Sequence, residues 1–135
     1  MKQTTKTVEA PPVLGAQEWK LMELLWERSP QPAYDLIEAC SKREAWHPNT
    51  VRTMLARLTR KGALEAQPYK NLYLYSARFT REQLVEAESQ TFLQRVFGGA
   101  IKPALIHFAS RHRLTADEVR EMKRILDENS QPPRA

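Results

Sequence analysis

Apolar residues recur at three- and four-residue intervals along most of the chain, the spacing that lays one stripe along an α-helix. Leu21, Met22, Leu25 and Trp26 form the first stripe, on a helix expected over residues 15–28. Gly15 suits its N-cap, Glu18 can reach back to the Gly15 N–H, and Leu14 and Trp19 are spaced as a hydrophobic staple. The run "SPQP" then breaks the chain, with Pro32 fitting a first helical turn. A second helix is expected over residues 32–42, burying Ala33, Leu36, Ile37 and Cys40. A third buries Val51, Met54, Leu55 and Leu58. His47 or a neighbour caps it, Pro48 sits at its first position, and Gly62 ends it.

The period then changes. Leu72 and Leu74 alternate with Tyr73 and Tyr75, as in a strand. Residues 63–66 and 72–76 are expected as arms of a β-hairpin, with "QPYKN" as the turn between them. Tyr73 and Tyr75 share a strand face, and at least one is expected to pack against the helices. Helices resume at the capping boxes "TREQ" and "TADE", which open helices expected over residues 81–97 and 116–129. Between them "GG" marks a break before a helix at residues 100–112, with Pro103 in its first turn.

Three helices followed by a two-stranded hairpin is the pattern of a winged helix-turn-helix, the hairpin being the wing. The expected fold class is therefore mainly α with a small β-hairpin. The winged helix-turn-helix occupies residues 14–79, and a three-helix dimerisation domain follows at residues 80–129. Residues 1–13 read as a flexible arm and residues 130–135 as a flexible tail.

Charge sharpens this picture once it is located. Residues 14–79 hold ten Lys and Arg against seven Asp and Glu, while residues 80–129 hold eight of each. Within the first part, residues 46–79 carry six cations against Glu65 alone. The stretch "WHPNTVRTMLARLTRKGAL" has four cations and no carboxylate. A basic surface so focused attracts polyanions, and carboxylates there would repel phosphates.

A helix-turn-helix lays its later helix in the DNA major groove. Asn49, Thr50 and Thr53 are assigned to base edges, since Asn pairs with adenine and Thr offers both a hydroxyl and a methyl. Arg52, Arg57, Arg60 and Lys61 are assigned to phosphates. Lys70 and Asn71, at the wing tip, are expected to meet the backbone or minor groove. Small Ala56 permits close approach. His47 is read as a cap or phosphate contact rather than a metal ligand. His107 and His112, five apart, do not share a face in the manner of metal pairs. Cys40 reads as core, and Trp19, Trp26 and Trp46 as core anchors. No catalytic set, metal site or cofactor motif is found, so an enzyme is not expected. The lone Cys40 excludes an intrachain disulfide framework and fits a reducing cytoplasm. No apolar run approaches the ~18 residues of a membrane span, and no secretory signal is read.

The last three helices carry apolar stripes of their own: Leu84, Leu93, Val96 and Phe97; then Ile101, Leu105 and Phe108; then Val119, Met122 and Leu126. So few residues bury too little surface to stand alone easily, so the same helices of a second copy are expected to complete the core. A two-fold dimer presents two recognition helices, so its DNA site should be an inverted repeat. The alternatives are a winged-helix protein-interaction adaptor and a small-molecule-responsive regulator.

Four segments carry a further resemblance: "EWKLMELLW" at residues 18–26, "NTVRTMLARLTRKGAL" at 49–64, "YLYS" at 73–76 and "FLQRVFGG" at 92–99. In order and spacing the chain resembles the penicillinase and methicillin-resistance repressors, the BlaI/MecI-type transcription repressors, from about residue 14 to 127. The resemblance implies a dimeric repressor on duplex operator DNA, silencing β-lactamase or related operons. It also implies a membrane sensor metalloprotease as a partner that relieves repression by cutting within the dimerisation domain. The family's Asn-Phe cleavage site falls on His107–Phe108, where this sequence has His in place of Asn. A copper-responsive branch uses a C-terminal Cys-x-Cys cluster, which this chain lacks.

Overall fold

Burial follows the apolar stripes through the first half of the chain. In the computed structural model, which describes residues 10–130, the elements are α1 (Ala16–Glu27), β1 (Gln31–Pro32), α2 (Ala33–Glu44), α3 (Pro48–Lys61), β2 (Leu64–Tyr69), β3 (Leu72–Ala77), α4 (Arg81–Phe97), α5 (Ile101–Arg111) and α6 (Ala116–Glu128). Most of the expected arm and tail, residues 1–9 and 131–135, lies outside the described residues. The chain divides into two compact units, with the division inside α4 between Gln90 and Thr91.

The first unit is a winged helix. Its α1 starts as expected: the Glu18 carboxylate accepts the Gly15 N–H at 2.8 Å. Leu21, Met22 and Leu25 are buried, and Leu24 joins them. Trp26 is only partly buried, and its indole N–H donates to the Phe79 carbonyl at 2.9 Å. Trp19 meets it edge to face at 5.6 Å. All three tryptophans flank the core. From α2, Leu36 and Cys40 are buried while Ala33 and Ile37 are half-buried. Burial pushes the Cys40 thiol up, and the nearby Glu44 charge adds to this against the opposing Arg43. From α3, Val51, Met54, Leu55 and Leu58 complete the cluster. Each such fully buried aliphatic side chain contributes ~1.5–3 kcal/mol.

The sheet departs from expectation in two ways. Pro32 does not open a helix; it precedes α2 as its N-cap and pairs in β1, a two-residue strand. The order is β1–β3–β2, all antiparallel, with Gln31 opposite Tyr75 and Pro32 opposite Leu74. Second, the wing is longer than predicted. Gln67, Pro68 and Tyr69 belong to β2, and the turn is only Lys70 and Asn71. Pro68 is tolerated because β2 is an edge strand, where a missing N–H costs no central ladder bond. Lys70 takes the left-handed turn conformation with φ 55°. Gln31 is buried, and its amide donates to the Leu24 and Arg28 carbonyls at 3.0 and 2.7 Å, closing the end of α1.

Both later capping boxes form. Thr80 and Gln83 exchange bonds at 2.8 and 3.1 Å, as do Thr115 and Glu118. The first turn of α4 belongs to the winged helix: Arg81 pairs with Glu23 at 3.2 Å, and Leu84 lies 1 % exposed in the same core cluster. Leu84, expected at a dimer face, is therefore a core residue of the first unit.

Candidate nucleic-acid interface

The recognition-helix candidate, α3, is held by matched signals at both ends. The His47 imidazole Nδ1 accepts the Asn49 N–H at 3.0 Å, and Pro48 takes the first position. Gly62 closes the helix at φ 89°, and the Ala63 N–H returns to the Leu58 carbonyl at 2.9 Å. A side chain at Gly62 would strain that left-handed turn. With Val51, Met54, Leu55 and Leu58 turned inward, Asn49, Arg52, Thr53, Ala56, Arg57 and Arg60 are exposed. Thr50 is half-buried. Arg52 donates to the Asn49 side-chain carbonyl at 3.1 Å, so these two neighbours orient one another.

Ion pairing separates this face from the rest of the unit. Lys20 pairs with Glu44, Arg28 with Asp35, Lys42 with Glu38 and Arg43 with Glu27. Among the described residues, Glu18 is the one carboxylate that forms ion pairs with α3 cations. Positive charge is thus neutralised around α1 and α2, while on α3 Glu18 alone among the described residues opposes the four cations Arg52, Arg57, Arg60 and Lys61. At the wing tip Lys70 and Asn71 are exposed, with the Lys70 ammonium over the Tyr69 ring at 5.3 Å. Tyr75 packs against the core, whereas Tyr73, on the same strand face, is exposed.

Lys61 does not stand with the open cations. Its ammonium donates to the Glu18 carboxylate at 2.7 Å and to the Val13 carbonyl at 2.9 Å. Arg57 lies 3.7 Å from the other Glu18 oxygen. Glu18 is 4 % exposed. Burial pushes its carboxyl up, but the Gly15 N–H, the Lys61 hydrogen bond and the charges of Lys61 and Arg57 outweigh that and hold it below the ordinary 4.5. A carboxyl lowered on folding stabilises the fold fully above its unfolded value and loses that contribution as pH falls through the folded one. Glu18→Gln should therefore cost stability by a margin that is constant above 4.5 and shrinks below it. Denaturant unfolding of both proteins on either side of that pH measures the margin, and a pH-independent margin would contradict the assignment. Sequence reasoning assigned Glu18 only to a helix cap; its partner lies 43 residues away, beyond any local signal.

The second unit presents a different surface. Among its described hydrophobic residues, Ala104 alone is buried. Val96, Ile101, Leu105, Phe108, Met122 and Leu126 are exposed, and Leu93, Phe97 and Val119 are half-buried. Ile106 and Ile125, not anticipated, are also exposed. Leu105, Phe108, Ala109, His112, Leu114, Met122, Ile125 and Leu126 line an apolar groove of about 410 Å³. Rings of Phe92, Phe97 and Phe108 cluster with centroids 6.0–6.4 Å apart. His107 and Phe108 lie in the interior of α5, their rings 5.2 Å apart. Among the described residues no cluster of His, Cys, Asp and Glu could hold a metal ion, and no helix is long and apolar enough to cross a membrane.

The chain is similar to known proteins. The chain is 29 % identical to the penicillinase repressor of Bacillus licheniformis over 118 residues, covering 87 % of this chain and 92 % of that protein. It is 25 % identical to the methicillin resistance regulatory protein MecI of Staphylococcus aureus (strain N315) over 114 residues, covering 84 % and 93 %. The solution structure of the DNA binding domain of the repressor BlaI superposes with a TM-score of 0.51 at 28 % identity, over 56 % of this chain and 93 % of that one. A family model described as penicillinase repressor matches residues 14–128, and the chain belongs to that family.

Proposed function

We propose that the chain is a DNA-binding transcriptional repressor that acts as a homodimer on an inverted-repeat operator. The observation that carries the reading is the outward face of α3, where exposed Arg52, Arg57 and Arg60 surround Asn49 and Thr53 while the cations of α1 and α2 are paired away. Asn49, Thr50 and Thr53 read base edges. Arg52, Arg57 and Arg60 hold phosphates, with Lys70 and Asn71 of the wing on the flanking backbone or minor groove. The dimer forms through the exposed apolar residues of α4 to α6, whose extent exceeds what isolated surface hydrophobics explain.

Titration of the full-length protein with duplexes of its own promoter, against random-sequence competitor at several salt concentrations, tests this. Affinity should fall steeply with salt, and an inverted repeat should outcompete random DNA. Equal competition by random duplexes would overturn sequence-specific repression, and salt-insensitive binding would favour a protein partner. Thr53→Ala should relax preference at one base position by ~1–3 kcal/mol while leaving other positions unchanged. Selection from a randomised half-site reads this directly.

A further inference from the structure

Glu18 is the one carboxylate ion-paired to α3 among the described residues, and it meets two cations in unequal ways. Lys61 is locked, with its ammonium 2.7 Å from one Glu18 oxygen and 2.9 Å from the Val13 carbonyl. Arg57 is only approached, at 3.7 Å, by the other oxygen, which is buried and has no hydrogen-bond partner. The Arg57 side chain remains half exposed, the Lys61 side chain less so at 31 %.

We propose that Glu18 is a positioning residue that stands in for a phosphate within the protein, holding Lys61 out of the DNA interface and leaving Arg57 available to it. This role rests on the DNA-binding reading above. Pulling Lys61 away would strip a desolvated carboxylate of its hydrogen-bonded counter-charge, which costs more than an exposed phosphate interaction returns. Arg57 makes no hydrogen bond to Glu18, so a phosphate takes it at smaller cost. The buried carboxylate thereby limits how many α3 cations count toward non-specific attraction, which scales with the phosphates neutralised. Less non-specific binding at unchanged base readout means better discrimination.

The test uses full-length protein and a random-sequence duplex, with affinity followed across salt concentrations. Lys61→Met should leave the salt dependence as in the wild type. Glu18→Gln should steepen it, by about 0.9 in the log–log slope for each additional phosphate neutralised. Adding Lys61→Met to Glu18→Gln should return the slope to that of the wild type. Lys61→Gln keeps a hydrogen bond to Glu18 without the charge, so it supplies the same comparison where Lys61→Met fails to fold. A merely structural role for Glu18 would alter melting but not the slope. A shallower slope in Lys61→Met or Lys61→Gln alone, or an unchanged slope in Glu18→Gln, overturns the proposal. Absence of wild-type binding to any duplex overturns instead the reading on which it rests.

Discussion

Replacing Phe108 with Glu is expected to yield a monomer that binds the operator ~10²–10⁴-fold more weakly than the wild type. Phe108 is 43 % exposed within its own chain, yet it lines the apolar groove and lies near Phe92, Phe97, His107 and His112. In a monomer the new carboxylate can stay in water, so the fold tolerates it. In a dimer it would be buried without a partner, which disfavours association strongly. Without the second protomer, each winged helix binds its half-site alone and the linked second interaction is lost. Sedimentation should show the change in mass, and operator titration the change in affinity. The melting of the winged helix should not move. A dimer that persists in Phe108→Glu would place the interface elsewhere.

Leu58→Ala acts on the opposite side of the same design. Leu58 is fully buried beneath α3, and its loss should destabilise the winged helix by ~2–5 kcal/mol through lost transfer energy and the cavity left behind. Because the other face of that helix carries Arg57 and Arg60, the damage extends to DNA binding near the melting temperature. Denaturant unfolding gives the stability change directly. Leu105→Ala makes the contrast: Leu105 is exposed in the single chain, so its truncation should spare the unfolding of a diluted monomer and weaken the dimer. Equal effects of the two substitutions on monomer stability would contradict the burial pattern.

How legible these features were depended on the distance between the residues that cause them. Helix α3 is the most legible element because Pro48, the Val51–Met54–Leu55–Leu58 stripe and Gly62 agree with one another over a short span, although the spacing alone leaves its cap at His47 or a neighbour. Pro68 misled, since a proline between apolar runs suggests a turn, and only the sheet order reveals that it lies on an edge. Strand β1 could not be read, because two residues have no period and their partners, Leu74 and Tyr75, are remote in sequence. Leu84 carried the right spacing for a stripe but not the identity of the core it would enter. The same limit hid the Glu18–Lys61 pair: the cap was local, whereas the ion pair exists only once α1 and α3 have come together.

The bond between His107 and Phe108 lies within α5, about one turn before the helix ends at Arg111. An enzyme cutting there must first meet an unwound, extended stretch of backbone, so its speed follows the fraction of time that segment spends open rather than its surface accessibility. Pairing of two protomers over this region would suppress such opening, and the susceptibility of that bond would then gauge how firmly the two copies hold together.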